Sequence, residues 1–356
     1  MSLKYYKSLD GLRGVAALMV MWFHFMPDGA SPVVHFLHKT AIFGQTGVTL
    51  FFVLSGFLIT RILLHQKKQP HYFRNFYIRR ALRIFPLYYL FLVIYYFVGP
   101  SIIPMGPDVL HRSWMYWVYL QNFSDTFNWK ANGPQHFWSL AVEEHFYLFW
   151  PLVVYFFSTK GLSRAAGLII ILALLSRLIL IKTGFGTFYL TFAVMDGMAI
   201  GGLLALLEDA GWLAKINLRL VFAVSLLLLL PVWLFAGGKG FGWIQLVKFP
   251  VMAVFYASVI GLMIDKEKGL SRLFQSLPIR FTGKISYGLY VFHPLCYSVF
   301  YHYWATSSLF INAAGCFLLS FAAAILSFYL FEQHFVRLKK YFEYGAWRQQ
   351  QAKQFN

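Results

Sequence analysis

The chain is built from long apolar runs separated by short polar segments. A helix needs about 20 residues to cross about 30 Å of hydrocarbon, and ten runs approach that length. They predict transmembrane helices near residues 10–26, 46–64, 81–99, 137–157, 165–182, 187–207, 217–236, 244–264, 284–305 and 309–331. The aromatic segment 113–123 is too short to cross and is predicted to be an interfacial or re-entrant helix. The pattern predicts an all-α, polytopic integral membrane protein.

The basic residues of the polar segments predict its orientation, because loops rich in Lys and Arg stay in the cytoplasm. One alternate set of loops holds most of them: Lys4, Lys7, Lys67, Lys68, Arg74, Arg79, Arg80, Lys160, Arg164, Lys266, Lys268, Arg272, Arg280, Arg337, Lys339 and Lys340. The opposite set holds little more than Lys39, Arg112, Lys130 and Lys239. Both termini are therefore predicted to be cytoplasmic, and an even number of spans agrees.

Composition supports a membrane protein, with 59% hydrophobic residues, 12% charged residues and a mean hydropathy of +0.60. The formal charge of +18 mostly reflects the loop bias, so no nucleic acid partner is predicted, although part of it could serve an anionic cytoplasmic ligand. The two cysteines have neither metal nor disulfide spacing, and no metal site is predicted. We expect one membrane domain, 1–340, and a short cytoplasmic tail, 341–356.

The first span carries Arg13 near one end and His24 near the other. An ionisable group in hydrocarbon costs about 2.5–3.5 kcal/mol, so each needs a partner, a wet cavity or a function. Their spacing is about three helical turns, which places them on one helix face about 16 Å apart. They indicate a track through the membrane. The alternatives are an interfacial anchor for Arg13, paired with Asp10, and a packed, hydrogen-bonded His24.

The fourth span carries Glu143 and Glu144 at the predicted depth of His24. A carboxylate can orient an imidazole and stabilise its protonated form, so such a pair could act as a general base. Adjacent residues point about 100° apart on a helix, so only one glutamate could do this. The alternative is a structural salt bridge.

Arginines also run into the third span, in the sequence YIRRALRIFP. Arg80 and Arg83 lie one turn apart, with Arg79 beside them, and a guanidinium fits phosphate oxygens through its planar fork. The alternative is that these arginines only reflect the excess of basic residues in cytoplasmic loops. Because the arginines continue into the membrane, we predict that they bind an anionic ligand.

Six motifs follow one another along the chain: LDGLRGVAALMVMWFHF, GQTGVTLFFVLSGFLITRIL, FYIRRALRIFPLYYL, YLQNF, FWSLAVEEHFYLFWPL and ISYGLYVFHPL. Together they resemble the membrane acyltransferase-3 family, which includes bacterial O-antigen, exopolysaccharide and peptidoglycan O-acetylases. The resemblance runs from about residue 9 to about residue 337, and it implies acyl-CoA as the acyl donor.

The resemblance also implies individual roles. The family's motif residues fall on Arg13 and His24, on Arg80 and Arg83, on Glu143 and Glu144, and on Tyr287 and His293. The chain departs from the family at Val194, where an Arg is common, which leaves the partner of Asp196 open. It departs again at His334, where Pro is usual, although Glu332 is kept.

We therefore predict an acyltransferase of the bacterial cytoplasmic membrane that moves an acyl group, with acetyl favoured, from cytoplasmic acyl-CoA to a hydroxyl of a cell-surface or exported carbohydrate or glycolipid. Arg13, Arg79, Arg80 and Arg83 are predicted to bind acyl-CoA, and His24 to take the hydroxyl proton with support from Glu143 or Glu144. The predicted acceptor-binding residues are Asn122, Trp138, Ser139, Tyr287 and His293. Asp10, Asp196 and Glu332 are predicted to be structural polar groups.

The competing prediction is a transporter or flippase that uses the same buried polar groups as a path. The lack of a visible inverted repeat and the concentration of basic residues at one mouth count against it. A non-catalytic partner subunit is a third alternative. No permanently bound cofactor is predicted. The sequence leaves open the acceptor, the choice between acetyl and succinyl, and direct transfer versus a covalent acyl-enzyme.

Overall fold

Long apolar helices dominate the computed structural model, which describes residues 3–27, 31–236, 242–265 and 270–342. No strand occurs within those ranges. The α-helices are α1 (Lys7–Phe25), α2 (Pro32–Gly44), α3 (Gly47–Gln66), α4 (Tyr72–Val93), α5 (Gly99–Ile102), α6 (Trp114–Trp117), α7 (Gln121–Phe127), α8 (Trp138–Phe156), α9 (Thr159–Thr183), α10 (Thr191–Val194), α11 (Asp196–Asp209), α12 (Leu218–Ala236), α13 (Ile244–Asp265), α14 (Leu270–Phe274), α15 (Leu277–Tyr303), α16 (Leu309–Ser327) and α17 (Gln333–Leu338). The all-helical fold is confirmed.

Each predicted span overlaps one of these helices. By length and composition, five stretches of the described chain could cross a membrane: Pro32–Gln66, Tyr72–Ile102, Thr159–Thr183, Ile244–Ile264 and Leu309–Phe342. The count of ten spans and the cytoplasmic termini stay predictions. Lys239, Lys266, Lys268 and the predicted tail beyond residue 342 lie outside the described residues.

Two segments differ from their predicted form. Helix α4 begins at Tyr72, not near residue 81, because hydropathy detects the apolar part of a helix and misses a basic first half. The aromatic segment 113–123 does not form one helix. It is divided between α6 and α7 around Tyr119, whose φ of 58° is left-handed and breaks a right-handed helix.

Helix α1 packs along α15 and against α2 and α3. Close approach depends on glycine: a Cβ at Gly283 of α15 would overlap the backbone carbonyl of Asp10. In the same way, a Cβ at Gly201 of α11 would overlap the carbonyl of Val53 in α3. Small residues allow apolar helices to pack without an aqueous driving force. We call the end at which α1 begins the N-terminal end of the bundle, and the other the opposite end.

Candidate active site

Arg80 of α4 points into the bundle at its N-terminal end. Its guanidinium carbon lies over the ring of Tyr147 in α8, 5.1 Å from the centroid, and over the ring of Phe76, at 5.9 Å. The negative face of an aromatic ring attracts a guanidinium. Arg80 is also within electrostatic range of Glu143 and Glu144. The cation is therefore held inside the bundle and does not extend into a loop.

Arg83, one turn later, forms a loose ion pair. Its Nη1 lies 3.9 Å from Oε2 of Glu332, whose side chain is 3% exposed, and its guanidinium lies 5.9 Å from the ring centroid of Tyr287. Ser327 donates a hydrogen bond to Glu332 at 3.1 Å, and the Tyr287 hydroxyl donates to the carbonyl of Ile84 at 2.9 Å. Because 3.9 Å exceeds hydrogen-bond length, this pair leaves the N–H groups of Arg83 for another anion.

Further cations meet these arginines. Arg13 is 38% exposed and lies 3.3 Å from the carboxylate of Asp10 one turn before it. Lys339 lies in the 3₁₀ turn Lys339–Phe342. It is within electrostatic range of four arginines: Arg13, Arg79, Arg80 and Arg83. We call Arg13, Arg79, Arg80, Arg83 and Lys339 the basic mouth. Like charges at such range repel one another, so the mouth suits a polyanionic ligand.

The two predicted glutamates lie beyond the basic mouth. Oε1 of Glu143 accepts a hydrogen bond from Ser55 at 3.1 Å, and Oε2 accepts one from Tyr147 at 3.0 Å. Oε1 of Glu144 is buried without a hydrogen-bond partner among the described residues. The contacts of Glu143 are thus with α3 and with its own helix, not with His24. The structure places Glu143 near Arg80, since Tyr147 contacts both side chains.

A cavity of about 700 Å³ opens at the opposite end. Small-molecule sites commonly measure about 300–1,000 Å³. Its lining includes His24, His136, Trp138, Tyr189 and Tyr290. The side chain of His24 is exposed to this space, while the backbone around it packs against α15. The cavity can hold a small ligand in contact with the imidazole.

Three histidines lie close together at this cavity: His24 and His136 line it, and His293 is buried behind them. Nε2 of His293 lies 3.3 Å from Nδ1 of His24, and their ring centroids are 4.9 Å apart. The ring of His136 lies 5.3 Å from that of His293. Within the described ranges, no group of three or more His, Cys, Asp or Glu side chains could hold a metal ion. Histidine side chains exchange protons near neutral pH, so the cluster is suited to proton transfer.

The predicted acceptor-binding residues occupy different places. Trp138 lines the cavity and packs against Phe188, with ring centroids 4.8 Å apart. Ser139 is hydrogen-bonded to the hydroxyl of Tyr290 behind the lining. Asn122 is fully buried, and its amide donates to Oγ1 of Thr191 at 2.8 Å. Trp138 lines the cavity, and His293 is buried behind His24. Tyr287 lies at the basic mouth, and Asn122 contacts the backbone of Tyr189 without lining the cavity itself.

Asp196 has a partner that the sequence analysis missed. Nη2 of Arg177 in α9 lies 2.7 Å from Oδ2 of Asp196, and both side chains are almost completely buried, at 0% and 2% exposure. Arg177 also donates to the carbonyl of Ala193 at 2.5 Å. A lone Arg in the apolar run LLSRLIL was the available signal. Nothing in the sequence except their location marked Lys339 or His136 as part of a site. Lys339 lies in a loop, and His136 lies just before the fourth predicted span.

Asp125 of α7 lies outside the membrane-crossing helices. Burial raises the pKa of its carboxyl to about 7. Its Oδ2 has no hydrogen-bond partner among the described residues, and its charge reaches Tyr189 in the cavity wall. The carboxyl therefore titrates near neutral pH close to the cavity.

The chain is similar to known proteins over most of its length. The model of the acyltransferase-3 family, described as an acyltransferase domain, matches residues 6–332. The chain is 29% identical over 327 residues to the peptidoglycan O-acetyltransferase OatA of Listeria monocytogenes, which covers 82% of this chain and 49% of that protein. It is 28% identical to the putative peptidoglycan O-acetyltransferase YrhL of Bacillus subtilis (82% and 48%) and 27% identical to the O-acetyltransferase OatA of Staphylococcus aureus (82% and 50%).

The chain spans about half the length of these curated relatives. No solved structure matches it. A family match across nearly the whole chain, together with the polar groups on one helical bundle, leads to one conclusion: this chain belongs to the acyltransferase-3 family.

Proposed function

We propose that the protein transfers an acyl group, with acetyl favoured, from acyl-CoA bound at the basic mouth to a carbohydrate hydroxyl in the cavity. The N-terminal end would face the bacterial cytoplasm, where acyl-CoA is available, and the cavity would open on the other side of the membrane. The transporter alternative has no support from the family or from the relatives.

One observation carries the proposal: α1 joins the basic mouth to the cavity through Arg13 and His24. The two residues are about three turns apart on one face, about 16 Å along the axis. Phosphates of CoA would meet the guanidiniums of Arg80 and Arg83, since guanidiniums bind phosphate by bidentate, charge-assisted hydrogen bonds. The pantetheine arm would then extend past Arg13 toward His24.

In the transfer step, Nε2 of His24 takes the proton of the acceptor hydroxyl while the hydroxyl oxygen attacks the thioester carbonyl carbon. A C–O bond forms and the C–S bond breaks. The CoA thiolate then receives the proton held by His24. Glu143, bonded to Ser55 and Tyr147 beside Arg80, would keep Arg80 oriented toward the thioester arm.

The acceptor is proposed to be a carbohydrate because two of the similar proteins are named for peptidoglycan. The aromatic ring of Trp138 gives the cavity an apolar face on which a sugar ring can stack. An exported or surface glycan would reach the cavity from the side opposite the acyl-CoA.

Binding of acetyl-CoA to detergent-purified protein tests the acyl donor. The Arg80→Ala, Arg83→Ala double variant should lose most of the binding, and wild-type binding should weaken with salt because the contacts are ionic. Arg164→Ala, Arg219→Ala is the matched control, since it removes the same charge from exposed positions. A folded wild type that does not bind acetyl-CoA, or equal binding by both double variants, would overturn the proposal.

A further inference from the structure

The histidine cluster supports an inference about how His24 is positioned, and this inference rests on the proposed function. We propose that His293, held by a backbone carbonyl that Pro294 frees in α15, is a positioning residue. Together with the carbonyl of Val20, it holds the hydrogen of neutral His24 on Nδ1, which leaves Nε2 of His24 as the base.

Pro294 provides the anchoring carbonyl. It lies inside α15 and has no N–H, so the carbonyl of Tyr290, four residues earlier, has no helical partner. Nδ1 of His293 lies 2.8 Å from that carbonyl oxygen. The next carbonyl, of Val291, lies 3.1 Å from Nε2 of His136. Two histidines are thus fixed by the stretch of helix that the proline opens.

The carbonyl determines which nitrogen of His293 carries the hydrogen. A carbonyl oxygen only accepts hydrogen bonds, so Nδ1 of His293 must be protonated. In the neutral ring, Nε2 is then a lone-pair acceptor. His293 is 0% exposed, so water does not compete for that lone pair, which lies 3.3 Å from Nδ1 of His24.

The same reasoning applies to His24. Its Nδ1 lies 2.8 Å from the carbonyl of Val20 and therefore also carries a hydrogen, shared between that carbonyl and Nε2 of His293. The lone pair of neutral His24 is then on Nε2, the nitrogen left for the cavity. When the ring takes a second proton there, its Nδ1–H still points at two acceptors, which stabilise the imidazolium. The titratable neighbours that face His24 in the described chain are His293 and His136.

Two variants separate positioning from catalysis. His293→Gln removes the acceptor ring. Pro294→Ala keeps every titratable group but adds an N–H that competes with His293 for the carbonyl of Tyr290. Both should lower kcat for acetyl transfer about 10- to 100-fold, a part of the full effect of a general base. KM for acetyl-CoA should stay unchanged because the basic mouth is untouched. Pro231→Ala in α12 is the control and should keep wild-type kcat.

Nitrogen-15 NMR of histidine-labelled protein in lipid nanodiscs reads the tautomer directly, at a pH at which His24 is neutral. His24→Gln identifies the signal. Wild type should show hydrogen on Nδ1 of His24, and both variants should show a mixture with Nε2–H. A protein in which His293 only supports the fold would lose kcat with no change of tautomer.

The inference is overturned if wild-type His24 carries its hydrogen on Nε2, or if both variants keep wild-type kcat. Failure of the proposed function is distinguishable, because it would appear as absent acetyl transfer in wild type while the NMR signals still report the tautomer. Pro294→Ala removes a helix breaker, so loss of folding does not obscure its result.

Discussion

The two ends of α1 are surrounded by different chemistry. At the basic mouth, cations outnumber their acidic partners, and the ion pair of Arg83 with Glu332 is long at 3.9 Å. At the cavity, His293 and His24 have a ring nitrogen against a backbone carbonyl, at 2.8 Å in both cases. On the proposed function, the mouth receives the charge of a ligand, whereas the cavity holds a neutral base in one tautomer. On that function, binding and proton transfer take place at different ends of the same helix.

The largest expected effect is that of His24→Ala. Removing the base should lower the rate of acetyl transfer about 10²- to 10⁴-fold and leave acetyl-CoA binding intact, because the mouth is unchanged. Radiolabelled transfer and equilibrium binding, measured on the same preparation, check both halves. His302→Ala, an exposed histidine of α15, is the control. Loss of binding in His24→Ala would contradict the separation of the two ends.

The ion pair of Arg177 with Asp196 is short and buried, unlike the long pair of Arg83 with Glu332. Arg177→Met should destabilise the protein by about 3–5 kcal/mol, since it leaves the buried carboxylate of Asp196 without its cation. Thermal unfolding in detergent measures the loss. The Arg177→Met, Asp196→Leu double variant should recover part of it. A small effect of Arg177→Met would mean that the ion pair of Arg177 with Asp196 is hydrated and resembles the pair of Arg83 with Glu332.

Glu332→Gln should strengthen acetyl-CoA binding, whereas the Arg80→Ala, Arg83→Ala double variant should weaken it. It removes a negative charge that competes with the ligand for Arg83, so acetyl-CoA should bind up to about fivefold more tightly at low salt, with the gain shrinking at high salt. Titration at two salt concentrations measures this. Glu208→Gln, which removes a carboxylate paired with Arg61, is the control of equal charge. Weaker binding in Glu332→Gln would mean that Glu332 orients Arg83.

A further effect concerns Asp125, whose charge reaches Tyr189 in the cavity wall. The pKa of Asp125 is raised to about 7, above its unfolded value near 4, so the folded protein holds a proton that the unfolded chain releases. Stability should therefore fall as pH rises from about 4 to about 7 and then level off. Asp125→Asn should remove this loss and raise Tm by several degrees at pH 8, with little change at pH 4. An equal Tm difference at both pH values would exclude the titration.

Sequence alone predicted the all-helical fold and drew attention to the arginines of α1 and α4, because apolarity and charge are local properties that a short window detects. It placed Arg80 and Arg83 on one face of a helix correctly for the same reason. It could not find the contact of His24 with His293 or of Arg177 with Asp196, since these partners are far apart in the chain and meet only through helix packing. The assigned roles of these residues stay predictions.

The roughly three helical turns of α1 between Arg13 and His24 have a consequence for the range of substrates. A rigid helix fixes the distance from Arg13 to His24 at about 16 Å, whatever the ligand. On the proposed function, this distance selects the length of the carrier arm. Only a donor whose thioester lies about that far from its phosphates presents its carbonyl to the imidazole of His24. A truncated carrier with the same acyl group would bind its anionic end and still fail to react.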